Sequence, residues 1–190
     1  MPSEGFVREA RASDAPGLAR IQVSSWRSSL SGLVPSPVLK ELGSSAAEEQ
    51  FAEQWREAIT NPPTSKHKVH VAVDRSASDP SEPVGFAAAG PATDEDKWPG
   101  TDGQLYELHV LPESSHSGHE ERLLNAVADT LGEDGFRTAC TWTVSGDTPR
   151  VEFLTEAGWA TDGVSSNLDM GVKVQVVRLH TRISEPAQAG

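Results

Sequence analysis

Three observations predict an α/β fold. Stretches with apolar residues at helical spacing follow stretches where apolar residues alternate, along the whole chain. Residues 105–135 hold a complete strand, turn and helix, around which the rest is arranged. The 190 residues suit one domain over 1–190, long enough to bury roughly 70% of its unfolded surface without disulfide staples.

Residues 6–10 read as a short first strand. Ser13 or Asp14 is placed to cap a helix with Pro16 in its first turn, and Leu18, Ile21, Val23, Trp26 and Leu30 broadly follow its apolar face. Residues 35–43 give a turn and a short helical piece. Residues 44–60 give a helix with Ser45 as cap and Phe51, Trp55 and Ala58 as its stripe, stopped by Asn61-Pro62-Pro63. Val69, Val71 and Val73 share one face of a strand over 68–73. Residues 74–83, rich in Ser, Asp and Pro, form a hairpin loop into a small-residue strand over 84–89, where Gly85 and Gly90 admit close backbone approach. An acidic loop, 94–102, leads into the central unit.

In that unit Leu105, Tyr106, Leu108 and Val110 are β-compatible, and Pro112 cannot continue a central ladder. A polar turn follows over 113–118. Leu123, Leu124, Val127, Ala128 and Leu131 then share one helical face, bracketed by Gly132 and Gly135. A small-residue turn between strand and helix points the helix's free amides at an anion, so a phosphate-bearing ligand is expected at Gly118. Residues 137–144 read as a strand, and 148–157 as a helix with Pro149 at its start and Gly158 past its end. Residues 168–170 and 174–183 read as closing strands, the first short, and 184–190 as a polar tail.

Composition narrows function. Sixteen Lys and Arg against 28 Asp and Glu give a formal charge of −12, which argues against nucleic acid and suits cationic substrates such as amines, although solubility alone accounts for the same charge. One cysteine, Cys140, excludes an internal disulfide and fits a reducing cytoplasm. No apolar run approaches the ~20 residues that span a bilayer, so no membrane partner is expected.

The central unit resembles the acyl-coenzyme A motif of the GNAT superfamily of N-acetyltransferases: a strand ending at a Pro, then Arg/Gln-x-x-Gly-x-Gly/Ala, then an amphipathic helix. Ser115, His116, Ser117, Gly118, His119 and Glu120 occupy those six positions. Gly118 matches; Ser115 stands for the Arg/Gln and Glu120 for the last small residue. Val7-Arg8-Glu9-Ala10 with Asp14 and Leu18-Ala19-Arg20-Ile21 resembles the family's first strand and helix. Ser25-Trp26-Arg27 and Gly32-Leu33-Val34-Pro35 resemble a region that lines the acceptor pocket in bacterial members. The segment 153–159 resembles Phe-Tyr-x-x-x-Gly-Phe, and the resemblance runs from Val7 to about Arg182.

The resemblance implies a mixed central sheet, splayed into a V between the strands 105–112 and 137–144, with helices on both faces. It implies N-acetyltransfer to a small or protein amine with acetyl-CoA as acyl donor, and it is compatible with a homodimer. Leu108, Val110, Ser115, Ser117, Gly118, His119 and Glu120 would bind the donor, and Trp26 and Arg27 the acceptor. Trp26 otherwise reads as core, since a buried aromatic supplies much apolar area, and Arg27 as a surface charge. Glu107 stands where the family often places a base. His109, two residues on, shares its strand face and is a second candidate to take the proton. Both residues are equally readable as polar groups satisfied by neighbours.

Several positions depart from the family. Leu154 stands where a Tyr donates a proton, and Asp147 stands for an Asn. Tyr106 is expected to point away from Glu107, and Cys140 reads as core. A carboxylate at Glu120 about 5 Å from one phosphate charge would cost roughly 3 kcal/mol at an effective dielectric of 20. The alternative is therefore a degenerate GNAT-like domain that acts in ligand sensing or protein interaction. His116 and His119 have a spacing that permits a metal, but no further ligands converge, and none is expected.

Overall fold

The computed structural model describes residues 5–76, 79 and 81–183. The tail 184–190 and positions 77, 78 and 80 of the 74–83 loop lie outside them. The elements are β1 (Gly5–Glu9), α1 (Ala15–Ser29), α2 (Ser36–Leu42), α3 (Ser45–Thr60), β2 (Lys68–Asp74), β3 (Pro83–Pro91), β4 (Asp102–Val110), α4 (His119–Glu133), β5 (Thr138–Val144), α5 (Thr148–Glu156), β6 (Ala160–Asp169) and β7 (Lys173–Arg182). Seven strands form one sheet in the order β1-β2-β3-β4-β5-β7-β6. Neighbours run antiparallel except β4 and β5, which are parallel and joined through α4.

Period-two alternation sorts the sheet's two faces. Val71, Val73 and Phe86 pack against Leu18 and Ile21 of α1 and Trp55 and Ile59 of α3. Ala72, Ala87, Leu108 and Val110 face the other way, against Leu123, Leu124, Val127 and Leu131 of α4, with Leu154 of α5 in the same cluster. Helices thus cover both faces, as expected, because strands buried on both sides need an apolar partner on each.

Three local details differ from the sequence reading. Ser44, not Ser45, caps α3: its Oγ accepts from the Ala47 amide at 3.2 Å. Asp14 precedes α1, but its carboxylate turns back to the Arg11 amide and the Arg8 guanidinium, both at 2.7 Å. The first closing strand is not short: β6 runs for ten residues, exposed along most of its length, and is defined by its pairing with β7.

The feature that positions the site is the partial closure of β4 on β5. Their ladder has four rungs, from Asp102↔Thr138 to Leu105↔Thr141, and stops. A bulge lies opposite at Tyr106, where Ala88 pairs Glu107 and Ala89 pairs Leu105. Bulges bend a strand and raise its twist, which carries the rest of β4 away from β5. Thr141 Oγ1 donates to the Leu105 carbonyl at 2.9 Å at the parting point. Beyond it, Glu107 to Val110 pair with β3 alone, and their other edge faces a cleft.

Candidate active site

The cleft has a volume of about 540 Å3. β4 forms one wall with Tyr106 to His109, and β5 the other with Trp142 to Val144. Trp26 of α1 and Leu30 just past its end close one end, and Arg150 and Leu154 of α5 the other; Leu168, Met170 and Val176 add apolar surface.

Glu107 and His109 come together as their spacing predicts. His109 Nε2 lies 2.5 Å from Glu107 Oε2, and its Nδ1 lies 2.9 Å from Ser25 Oγ on α1. His109 is 8% exposed and Ser25 7%. An ionised carboxylate only accepts, so Nε2 carries the proton, and a neutral ring then accepts from the Ser25 hydroxyl at Nδ1. Phe86 packs on the imidazole at 5.3 Å between ring centroids, and Trp26 meets it edge-on at 6.3 Å. Trp26 also packs at right angles on Phe51, so it is both support and cleft wall.

Arg27 does not join this group. It is exposed and lines a separate groove with Ser36 and Lys40, its stem against Gly43. Leu108 lines the cleft, whereas Val110 lies in the core beneath α4.

The turn into α4 is built on Gly118, whose φ of +73° is the left-handed backbone that glycine adopts without penalty. Ser115 Oγ donates to the Pro112 carbonyl at 2.8 Å, within the turn itself. The Ser117 carbonyl accepts from Arg122 Nη1 at 2.9 Å. His119 is fully buried and turned toward β1 and β2: its Nε2 lies 3.3 Å from Asp74 Oδ2, in the space left by Gly5. The His119 side chain is thus directed into the protein, and exposed His116 is not brought to it. Glu120 Oε1 lies 3.6 Å from Arg150 Nη2.

The remaining ionisable groups are held away from proton transfer. The Tyr106 hydroxyl donates to the Pro91 carbonyl at 2.5 Å, and burial pushes its phenol up to about 12. Burial likewise pushes the Cys140 thiol up to about 11. The acidic loop 94–102 is engaged with the protein. Asp94 and Asp96 reach Arg178 at 2.8 and 2.6 Å, joined there by Asp162 at 2.7 Å. Asp94 also accepts from Trp142 Nε1 at 3.0 Å.

Sequence reasoning placed Glu107, His109 and the Gly118 turn. It missed Ser25 as a partner of His109 and Arg150 as a cleft residue; the Ser25-Trp26-Arg27 step was the signal for the first, and no local pattern marks the second.

No protein-family model matches the chain. YuaI of Bacillus subtilis, described as an uncharacterised N-acetyltransferase, is 30% identical over 138 residues, which cover 73% of this chain and 70% of YuaI. Among solved structures, a Desulfovibrio desulfuricans protein assigned to the GNAT acetyltransferase family superposes with a TM-score of 0.68 at 17% identity, over 95% of this chain and 99% of its own. The PaiA N-acetyltransferase of Thermoplasma acidophilum, in complex with coenzyme A, has a TM-score of 0.68 at 13% identity, over 94% and 99% of the two chains.

Proposed function

Because the chain belongs to the GNAT superfamily of N-acetyltransferases, we propose that it transfers the acetyl group of acetyl-CoA to an amine admitted between β4 and β5. The observation that carries this reading is the edge of β4 freed by the bulge. It runs from Glu107 past Leu108 and Val110 toward the left-handed turn at Gly118. An arm rich in amides pairs with a strand edge as a peptide does. The first turn of α4, which opens at Gly118, presents the amide end of a helix, and such an end suits a diphosphate. Ser115 contributes to the shape of the turn through its bond to Pro112, and Ser117 lies one residue before the glycine. These groups fit the donor.

The donor supplies an acyl thioester whose C–S bond breaks as the amine's N–C bond forms. Glu107 takes the proton that the ammonium loses before attack. Among the described residues its Oε1 has no hydrogen-bond partner, while Oε2 is held by His109. His109 orients the base, and Ser25 orients His109. No side chain is assigned as the acid, and the coenzyme leaves as its thiolate: Leu154 carries no proton, the Tyr106 hydroxyl donates to the Pro91 carbonyl, and Cys140 is buried away from the cleft. Trp26, Leu30, Leu168 and Met170 make the rest of the cleft apolar, which favours an amine with an apolar flank over a polycation.

Calorimetry of the purified protein with acetyl-CoA, followed by thiol-release assays over a panel of amines, tests the reading. Saturable donor binding and amine-dependent thiol release are expected. A folded protein that binds no donor would return the chain to a role in ligand sensing or protein interaction.

A further inference from the structure

Where β4 and β5 part, they carry their helices with them: α4 follows β4 and α5 follows β5. Across that mouth stand Glu120, in the first turn of α4, and Arg150, in the first turn of α5. At 3.6 Å their charges attract, but the distance is beyond hydrogen-bond range. Arg150 lines the cleft, and among the described residues its buried Nη1 has no hydrogen-bond partner. A guanidinium stays charged and carries five N–H donors, so this cation has donors to offer to something entering the cleft.

We infer that Arg150 is the residue that recognises the donor's diphosphate, with Glu120 as its resting partner: a latch across the cleft mouth that a diphosphate opens by replacing the carboxylate. The inference rests on the acyl-donor reading above. It accounts for two departures at once. Ser115 puts no cation at its own position in the turn, where Arg122 Nη1 is engaged with the Ser117 carbonyl, and Arg150 supplies one from the opposite wall. Glu120 in place of a small residue holds that cation in position while the cleft is empty. A diphosphate presents more charge and more acceptor oxygens than one carboxylate, and the planar guanidinium can take two of them in parallel.

The test compares acetyl-CoA with acetyl-pantetheine, which has the thioester arm and no diphosphate. NMR titration reads micromolar and millimolar binding alike. Arg150→Gln is expected to weaken acetyl-CoA roughly 10- to 100-fold, the range for a lost hydrogen bond to a charged group. It should leave acetyl-pantetheine unchanged. Arg150→Lys should fall between, and Glu120→Gln should tighten acetyl-CoA alone. Equal acetyl-CoA affinity in native protein and Arg150→Gln would overturn the latch, as would equal losses for both ligands, which would mark Arg150 as structural. Native protein that takes acetyl-pantetheine but not acetyl-CoA would also overturn it, because the carboxylate would then block the site. If native protein takes neither ligand, the donor reading itself fails before any variant is compared.

Discussion

The proposed proton transfer rests on three side chains from two elements. Glu107 and His109 lie two apart on β4, and Ser25 reaches them from α1. The division of labour predicts distinct kinetics. Glu107→Gln keeps the shape but cannot take the proton, so kcat should fall about 100-fold, with donor affinity by calorimetry unchanged. Unchanged turnover would remove Glu107 from the reaction. Ser25→Ala removes a contact one step further back. It should lower kcat by roughly 10-fold or less and leave donor affinity alone, and Ser25→Thr, which keeps the hydroxyl, should restore the rate. A loss that Ser25→Thr fails to repair would point to packing against α1 instead.

At the scale of elements, the turn into α4 depends on one backbone conformation. Among the described residues every positive φ belongs to glycine, and Gly118 has +73°. Space is not the issue there: an added Cβ would meet Arg122 at 3.6 Å, an ordinary contact. Gly118→Ala should therefore cost about 1–2 kcal/mol through the left-handed backbone alone, read from urea unfolding, and should weaken donor binding as the turn amides shift. Much at this scale was legible in the sequence. The switch from alternation to helical spacing between residues 105 and 131 is local, and Pro112, Gly118 and Gly132 punctuate it. β6 was not legible, because it is largely exposed and carries no apolar alternation; β7 gives it its course. The contacts that complete the site were hidden for a related reason. Ser25 and His109 are 84 positions apart, and Glu120 meets Arg150 across two separate strand–helix units. The bulge at Tyr106 opens the cleft, yet it is a property of the β3–β4 pairing, which no local spacing records.

For the whole molecule, electrostatics makes two predictions. Arg178, 3% exposed, ties Asp94 and Asp96 of the acidic loop to Asp162 of β6. Its hydrogen bonds hold Asp96 at about 2. Burial raises Asp162, but the Val164 amide and Arg178 outweigh it and leave the group below its ordinary range. Such groups bind protons more weakly folded than unfolded. The stability they give is therefore full above the ordinary aspartate value of 3.8 and is lost as pH falls from there toward about 2. Urea midpoints should drop across that window. Arg178→Met should flatten the drop and lower the urea midpoint near neutrality, because it leaves the largely buried Asp94 and Asp162 carboxylates without their cation. The second prediction concerns partners. With 16 basic residues against 28 acidic ones, the protein should not retain transfer RNA in filter binding at low salt; submicromolar retention that weakens steeply with salt would contradict this. The cleft walls have one more consequence, an optical one. Of the five tryptophans, Trp26 and Trp142 line the cleft, whereas Trp159 is 5% exposed in the core and Trp98 stands 71% exposed on the loop. Indole emission responds to the polarity around each ring. Filling the cleft would change two emitters and leave the others as an internal reference, so the unlabelled protein reports both its occupancy and its unfolding.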